Sequence, residues 1–449
     1  MFFIDLGLIM LRIVSISASL SFLLLASSAL PVLANQSLHE EFAKELAQLH
    51  SPICVVRHKN QEMIAVNHKK IIGAEELHSQ GITGKGSKVI IIEAYFDQKH
   101  DDYAENLSES TLCAANASGG FWHDWLVHPQ AIYQFGDHAA HITGTVRSVA
   151  PNAKLRVIDY AKEAFVPHED ITVSVNKSIT KALQIAAKTE GDIVNLSQAL
   201  VHKNLHKTHA IPVETKRAML NLARLGKIIV MAAGNENIAL GDDVYTKSLV
   251  ALAADPEMLG RLVIVGATGY THLKERLEGY SDKPGQAENF YITAPGSDID
   301  GPNSYNRHAL LNGTSTAAPQ VAGSLALLME TAPGLKPQEY TNLIFRSARQ
   351  ESLNNSFMFT KDFYGNGALN VEAAISLADK EGKINHSMVT KSKEIQEKMA
   401  STTLKVAQPS LFENTKTVVS TVSHMVYGTI KNVATAVKNG ISSFFGWGK

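Results

Sequence analysis

A serine at position 315 stands between a Gly-Thr turn and an Ala-Ala-Pro start to an apolar stretch, within Asn-Gly-Thr-Ser-Thr-Ala-Ala-Pro-Gln-Val-Ala-Gly over residues 312–323. Val321, Ala322, Leu325, Ala326, Leu328 and Met329 follow at helical spacing, so the hydroxyl is expected to emerge where a loop meets a helix N-terminus. Free amides and the positive end of the helix dipole favour developing negative charge there. Pro319, read as part of the first turn, costs no hydrogen bond. An ordinary capped helix begins in the same way. A serine nucleophile needs a base, and upstream His138 opens His-Ala-Ala-His-Ile-Thr-Gly-Thr. A histidine on a helix is by itself more often structural. As a metal pair, His138 and His141 lack a third ligand at useful spacing.

Residues 312–323 resemble the nucleophile motif Gly-Thr-Ser-x-Ala-x-Pro of the subtilisin-like serine proteases, peptidase family S8. The segment from His138, with its continuation Val149-Ala150-Pro151-Asn152-Ala153-Lys154-Leu155, is similar to the family's His-Gly-Thr-His-Val-Ala-Gly-Thr and its trailing Val-Ala-Pro-x-Ala-x-Leu. The resemblance implies Ser315 as nucleophile, His138 as general base and His141 as a packing residue. In the family a strand preceded by Thr-Gly-Lys-Gly ends in Asp-x-Gly, and that Asp orients the histidine. Here the strand ends in Glu93-Ala94-Tyr95, so the carboxylate is one methylene longer and the turn glycine has become Tyr. An amide in place of the acid costs about 10⁴ in turnover in a chymotrypsin-type triad, and Glu keeps the charge, so a smaller loss is expected. Glu93 and Asp97 are also similar to the Glu-x-x-x-Asp pair of the sedolisin acid proteases. That pair lies on a helix and replaces the histidine, and it works with an oxyanion Asp that this chain lacks.

Ile228 to Asn237 is an apolar run ending in Ala-Ala-Gly-Asn and resembles the family's oxyanion segment, which implies Asn235 as donor to the tetrahedral intermediate. The alternative is a strand closed by a plain Gly-Asn turn. Removing such a donor from subtilisin costs roughly 10² to 10³ in turnover. Ser197-Gln198-Ala199 stands where the family has Ser-Leu-Gly. With Ala232, Ala233 and Gly234 it is expected to line the substrate cleft.

The elements that position these residues are short apolar runs at Val89–Ile92, Ile193–Leu196, Ile228–Ala232, Leu262–Ala267 and Ile292–Ala294, each read as a buried parallel strand. Helical spacing appears over 175–188 and 214–225. Their alternation over about 300 residues predicts an α/β fold, a three-layer α/β/α domain with a mostly parallel central sheet. The resemblance runs from Ile71 to Leu377, and Phe363–Asn370 resembles the turn closing the family's catalytic domain.

With 42 basic against 43 acidic residues, no basic surplus points to nucleic acid, and the expected partners are polypeptide substrates. No cofactor is expected, and structural calcium is left open, since the sequence locates no site for it. Arg12 followed by an apolar run to Leu30 and by Pro31-Val32-Leu33-Ala34 predicts a signal peptide over 1–34, and with it a secreted or periplasmic protein. A transmembrane anchor is the competing reading, weakened by six serines in the run. Cys54 and Cys113 could pair in an oxidising compartment. A short extension over 35–70, a catalytic domain over 71–380 and a polar linker over 381–413 follow. In the tail, 414–449, Val419, Val422, Val426, Ile430, Val433, Val437, Ile441 and Phe444 trace one helical face, with Lys as the only charged type after Glu413. That pattern suits either peripheral membrane contact or packing on the domain. The expected activity is that of an exported serine endopeptidase. The alternative is a pseudoprotease that keeps the fold and binds peptides or partners.

Overall fold

The computed structural model describes residues 53–58, 61–107, 129–160, 171–201, 206–271, 274–303, 306–350 and 361–386. The signal peptide, Cys113, most of the linker and the tail lie outside the described residues. Strands are β1 Ile53–His58, β2 Gln61–Val66, β3 Lys88–Glu93, β4 Lys154–Asp159, β5 Ile193–Leu196, β6 Ile228–Ala232, β7 Leu262–Thr271, β8 Lys274–Leu277, β9 Tyr291–Pro295, β10 Ile299–Asn303 and β11 Arg307–Leu311. The principal helices are α1 Pro129–Val149, α2 Ile171–Lys188, α3 Val213–Arg224, α4 Val244–Ala253, α5 Thr314–Thr331, α6 Pro337–Arg346 and α7 Val371–Lys380.

The central sheet runs β4-β3-β5-β6-β7-β8, with β9 also paired to β7. Every pairing in it is parallel except β7 with β8. Val89 to Ile92 is buried throughout because both faces of β3 are covered. Side chains alternate, so Val89 and Ile91 join Val157, Val230 and Val263 against Ile142, Val146, Val321 and Leu325 of α1 and α5. Ile90 and Ile92 join Val194, Ile229 and Ile264 against Leu183 of α2, Leu222 of α3 and Leu252 of α4. This is the expected α/β sandwich of helix, sheet and helix layers. Along α5 every residue but Met329 is buried, which is why that segment shows no polar face.

Two ties fix β3 to α5. Glu330, in the last turn of α5, accepts the backbone N–H groups of Thr83, Gly84 and Lys85 on Oε2 at 2.7, 2.6 and 3.1 Å. Three amides converging on one carboxylate form an anion nest. Ser87 Oγ donates to the Ala326 carbonyl at 2.8 Å. The sequence did not announce the β1–β2 hairpin, inside the expected extension, or the β10–β11 hairpin. Val66 N–H donates to the Asp298 carbonyl at 2.9 Å and attaches the first of these to the body.

Candidate active site

Parallel register carries the expected site residues to one edge of the sheet. Glu93 pairs with Asp159, Ile92 with Leu196, and Leu196 with Met231, so Glu93, Ser197 and the segment after Ala232 all emerge at the C-terminal edge. Ligand crevices of parallel sheets form there. Glu93 ends β3 with only 3 % of its side chain exposed, and its Oε2 accepts Nδ1–H of His138 at 3.0 Å. That bond selects the tautomer in which Nε2 of His138 carries the lone pair. The ring is 29 % exposed, so solvent or a substrate can reach it. Burial alone would lower the imidazole, but the charge of Glu93 and its hydrogen bond outweigh that and hold His138 above its ordinary value.

Two features stand out beside this bond. Glu93 Oε1 is buried and has no hydrogen-bond partner among the described residues. Tyr95 has φ 58°, a left-handed conformation that costs a non-glycine residue about 1–2 kcal/mol. Asp159 stabilises the bend by accepting Tyr95 N–H at 3.0 Å and Phe96 N–H at 3.1 Å. Asp97 is not on a helix with Glu93. It lies in the following loop and accepts Lys99 N–H at 3.0 Å, which removes the geometry of the sedolisin pair.

Ser315 is the second residue of α5, after the N-cap Gly313 at φ 152°. A Cβ on Gly313 would sit 2.9 Å from Ser315 Oγ, so glycine is what leaves the hydroxyl room. Because α5 begins at Thr314, Pro319 is its sixth residue and lies inside the helix, not in the first turn as the sequence suggested. Its missing N–H would have bonded the Ser315 carbonyl. Ser197 Oγ takes that place and donates to Ser315 O at 2.9 Å, while Asn195 Nδ2 donates to Ser197 Oγ at 3.0 Å. Thus the hydroxyl of Ser197, expected along the cleft, is buried and turned to the Ser315 backbone.

Asn235 follows β6. Its Oδ1 accepts both the N–H and the hydroxyl of Thr314, at 2.9 and 3.1 Å, and Gly234 N–H donates to Thr314 Oγ1 at 3.2 Å. With Oδ1 engaged, the amide's Nδ2 is left to face the Gly313–Ser315 turn. It lies 3.6 Å from the point where a Gly313 Cβ would stand. Helix α1 runs beside α5, with Gly323 against Val149 and the Val146 carbonyl. No hydrogen bond joins His138 to Ser315 Oγ among the described residues. A triad bond commonly tightens only when substrate is bound.

Of the other expected cleft residues, Ala232 and Ala233 are buried, while Gln198, Ala199 and Gly234 are half-buried. Gln198 Oε1 accepts the Tyr160 hydroxyl. His141 is buried and donates Nε2–H to the Ile299 carbonyl at 2.8 Å, a packing role. Asn195, Thr314 and Asp159 support the site and were not singled out in the sequence. Thr314, inside the serine motif itself, and Asp159, at the end of an apolar run, carried the only legible signals.

The family model for the subtilase family, peptidase S8, matches residues 84–448. The major intracellular serine protease of Bacillus subtilis strain 168 is 26 % identical over 332 residues, covering 72 % of this chain and 93 % of its own. Subtilisin E of the same strain is 26 % identical over 311 residues, covering 68 % and 69 %. Among solved structures, the PatG macrocyclase domain shares the fold at a TM-score of 0.50 and 16 % identity, covering 69 % of this chain and 96 % of its own. Since the family model runs through most of this sequence, the chain belongs to the subtilase family of serine endopeptidases.

Proposed function

We propose that the protein is an exported endopeptidase that cleaves polypeptides through an acyl-enzyme on Ser315. His138 Nε2 removes the hydroxyl proton as Oγ attacks the scissile carbonyl. Glu93 holds Nδ1–H and stabilises the imidazolium that forms. The oxyanion accepts hydrogen bonds from Asn235 Nδ2 and from the Ser315 amide at the start of α5, where the helix dipole adds to the field. His138 then gives its proton to the leaving amine, and water enters along the same path to release the acyl group. The observation that carries this reading is the 3.0 Å bond between His138 and Glu93 at the sheet edge that also bears Ser315 and Asn235.

A fluorophosphonate should label the protein once per chain at Ser315, and Ser315→Ala should abolish both labelling and peptide hydrolysis. Labelling that survives Ser315→Ala overturns the assignment. The orphaned Glu93 Oε1 and the left-handed Tyr95 favour a second reading, a pseudoprotease that binds peptides without cutting them. Absence of labelling in folded wild type supports that second reading.

Export rests on the apolar run and small-residue site before Asn35, and predicts a mature N-terminus at Asn35. Membrane contact rests on the apolar stripe and lysines of 414–449. The full chain should co-sediment with anionic vesicles, more weakly in salt, and a chain ending at residue 413 should not.

A further inference from the structure

The loop that carries Asn235 is built around two carboxyl groups that the reaction just described does not use. Asp282 is almost fully buried, and its Oδ1 accepts the N–H groups of Glu236 and Ile238, each at 3.0 Å. Glu236 in turn accepts Asn235 N–H on Oε2 at 2.8 Å. Both carboxyls crowd the α-carbon of Gly234, where an added Cβ would stand 2.2 Å from Asp282 Oδ2 and 2.9 Å from Glu236 Oε2. Burial and the neighbouring Glu236 carboxyl hold Asp282 above the ordinary carboxylate value, and two acidic oxygens brought to one point are reconciled by a proton between them.

The backbone of this loop depends on such support. Gly234 has φ 121° and Asn237 φ 57°, so positive-φ residues flank Asn235 and Glu236 on either side. Among the described residues neither carboxyl forms an ion pair with a Lys, Arg or His. The remaining titratable groups around the pair cannot replace the proton. Tyr291 of β9 donates its hydroxyl to the Asp282 carbonyl at 2.5 Å, and burial holds Tyr291 and Tyr245 of α4 above the ordinary tyrosine value. Asp243 caps α4 through Thr246, Asp242 accepts Ala239 N–H, and Lys283 extends over the ring of Phe363.

We propose that Asp282 is a positioning residue for the oxyanion loop: one proton shared between its carboxyl and that of Glu236 holds Asn235, and turnover falls when that proton is lost. This rests on the reading of Asn235 as oxyanion donor. Once both carboxyls are ionised, like charges repel across a dry site, and the exposed Glu236 is the partner free to swing out. Asn235 N–H then loses its acceptor, and the amide that must meet the oxyanion loses its fixed base. Burial, with the neighbouring Glu236 carboxyl adding to it, pushes Asp282 up to about 7, which puts the transition near neutrality.

The test is the pH dependence of kcat for peptide hydrolysis by the full chain. Wild type should fall about tenfold between pH 7 and 9 beyond any loss of folding, a bounded fraction of the 10² to 10³ that removal of the whole donor costs. Asp282→Asn keeps the acceptor oxygen and supplies a permanent donor to Glu236, so its alkaline fall should vanish while the acid limb set by His138 stays. Glu236→Gln, an exposed change that should not impair folding, should have the same effect. An alkaline fall that persists in both variants, or a wild-type plateau from pH 7 to 9, overturns the proposal. A second readout needs no turnover: an acid whose folded pKa is raised loses stability as pH rises from about 4 to 7. The melting temperature of Asp282→Asn relative to wild type should therefore climb across that window, and a constant difference counts against the shared proton. Absence of phosphonate labelling in wild type with this climb intact overturns the endopeptidase reading instead.

Discussion

Ser197 Oγ and the Ser315 carbonyl are joined at 2.9 Å across the gap that Pro319 opens in α5. A strand-end hydroxyl thereby does what a helical amide does elsewhere, and it ties the Ser315 backbone to β5.

That exchange of donors can be reversed. Ser197→Ala should cost about 1–3 kcal/mol, because it leaves a buried carbonyl unsatisfied. Pro319→Ala alone returns an N–H to the helix, and in the Ser197→Ala background it should recover more than half of the loss. A double-mutant cycle by chemical denaturation measures the coupling. Strictly additive effects would show that the two donors do not share the Ser315 carbonyl.

In the proposed mechanism the pairing of Glu93 with His138 sets the acid limb of catalysis. His138 must be neutral to act as base, and Glu93 holds it above its ordinary value of about 6.5, so kcat/KM should rise with a midpoint above pH 6.5. Glu93→Gln leaves burial dominant and should move that midpoint below 6.5, with turnover reduced by up to about 10⁴. Glu93→Asp keeps the charge and loses only reach, so its loss should stay within about 10². The raised histidine also stabilises the fold, fully below the unfolded value and less as pH passes the folded one. The melting difference between wild type and Glu93→Gln should therefore be larger at pH 6 than at pH 9.

Two other histidines act in the opposite sense. Burial holds His141 at about 4 and His68 at about 3, so both stay neutral where the unfolded chain has taken up protons. Stability should fall as pH drops from about 6.5 toward 4. In His141→Gln that slope should be shallower by about one proton, as read from denaturation midpoints across the range.

Glu330 is the acceptor for three amides, and Glu330→Ala should cost about 3 kcal/mol or more, because charge-assisted bonds are lost together and the buried Gly84 N–H is left bare. Glu330→Gln, which keeps one acceptor oxygen, should cost less. Equal losses in thermal denaturation would show that packing, not the nest, is what the residue supplies.

The pieces of this site that were legible in the sequence are those that a contiguous segment writes out. Ser315, His138 and Asn235 each sit in a run whose turn glycines and apolar neighbours are adjacent in the chain, and β3, β5 and β6 are β-branched runs buried on both faces. Ser197's bond to Ser315 was not legible, because it spans 118 positions and depends on where α5 begins. Placing that start too late put Pro319 in the first turn and hid the carbonyl it frees. β10 reads as a loop because Gly301 and Pro302 interrupt it, although both sit in register opposite β11. Glu330 in a last helical turn looks like a surface charge until the turn before β3 is folded against it. Asp282 likewise shows nothing special until the chain brings it to Gly234.

The nest at Glu330 also bears on how this molecule can change over time. Helix α5 begins at Thr314 and Ser315 and ends by gripping the turn that feeds β3, and β3 runs back to the carboxylate that holds His138. The distance from acid to serine is thus set by two rigid spans closed into a loop, one helical and one extended. Swapping a side chain at Glu93 leaves both spans intact. Inserting or deleting a single residue in either span would throw the two ends out of step, so drift at this site is open to substitution and closed to changes of length.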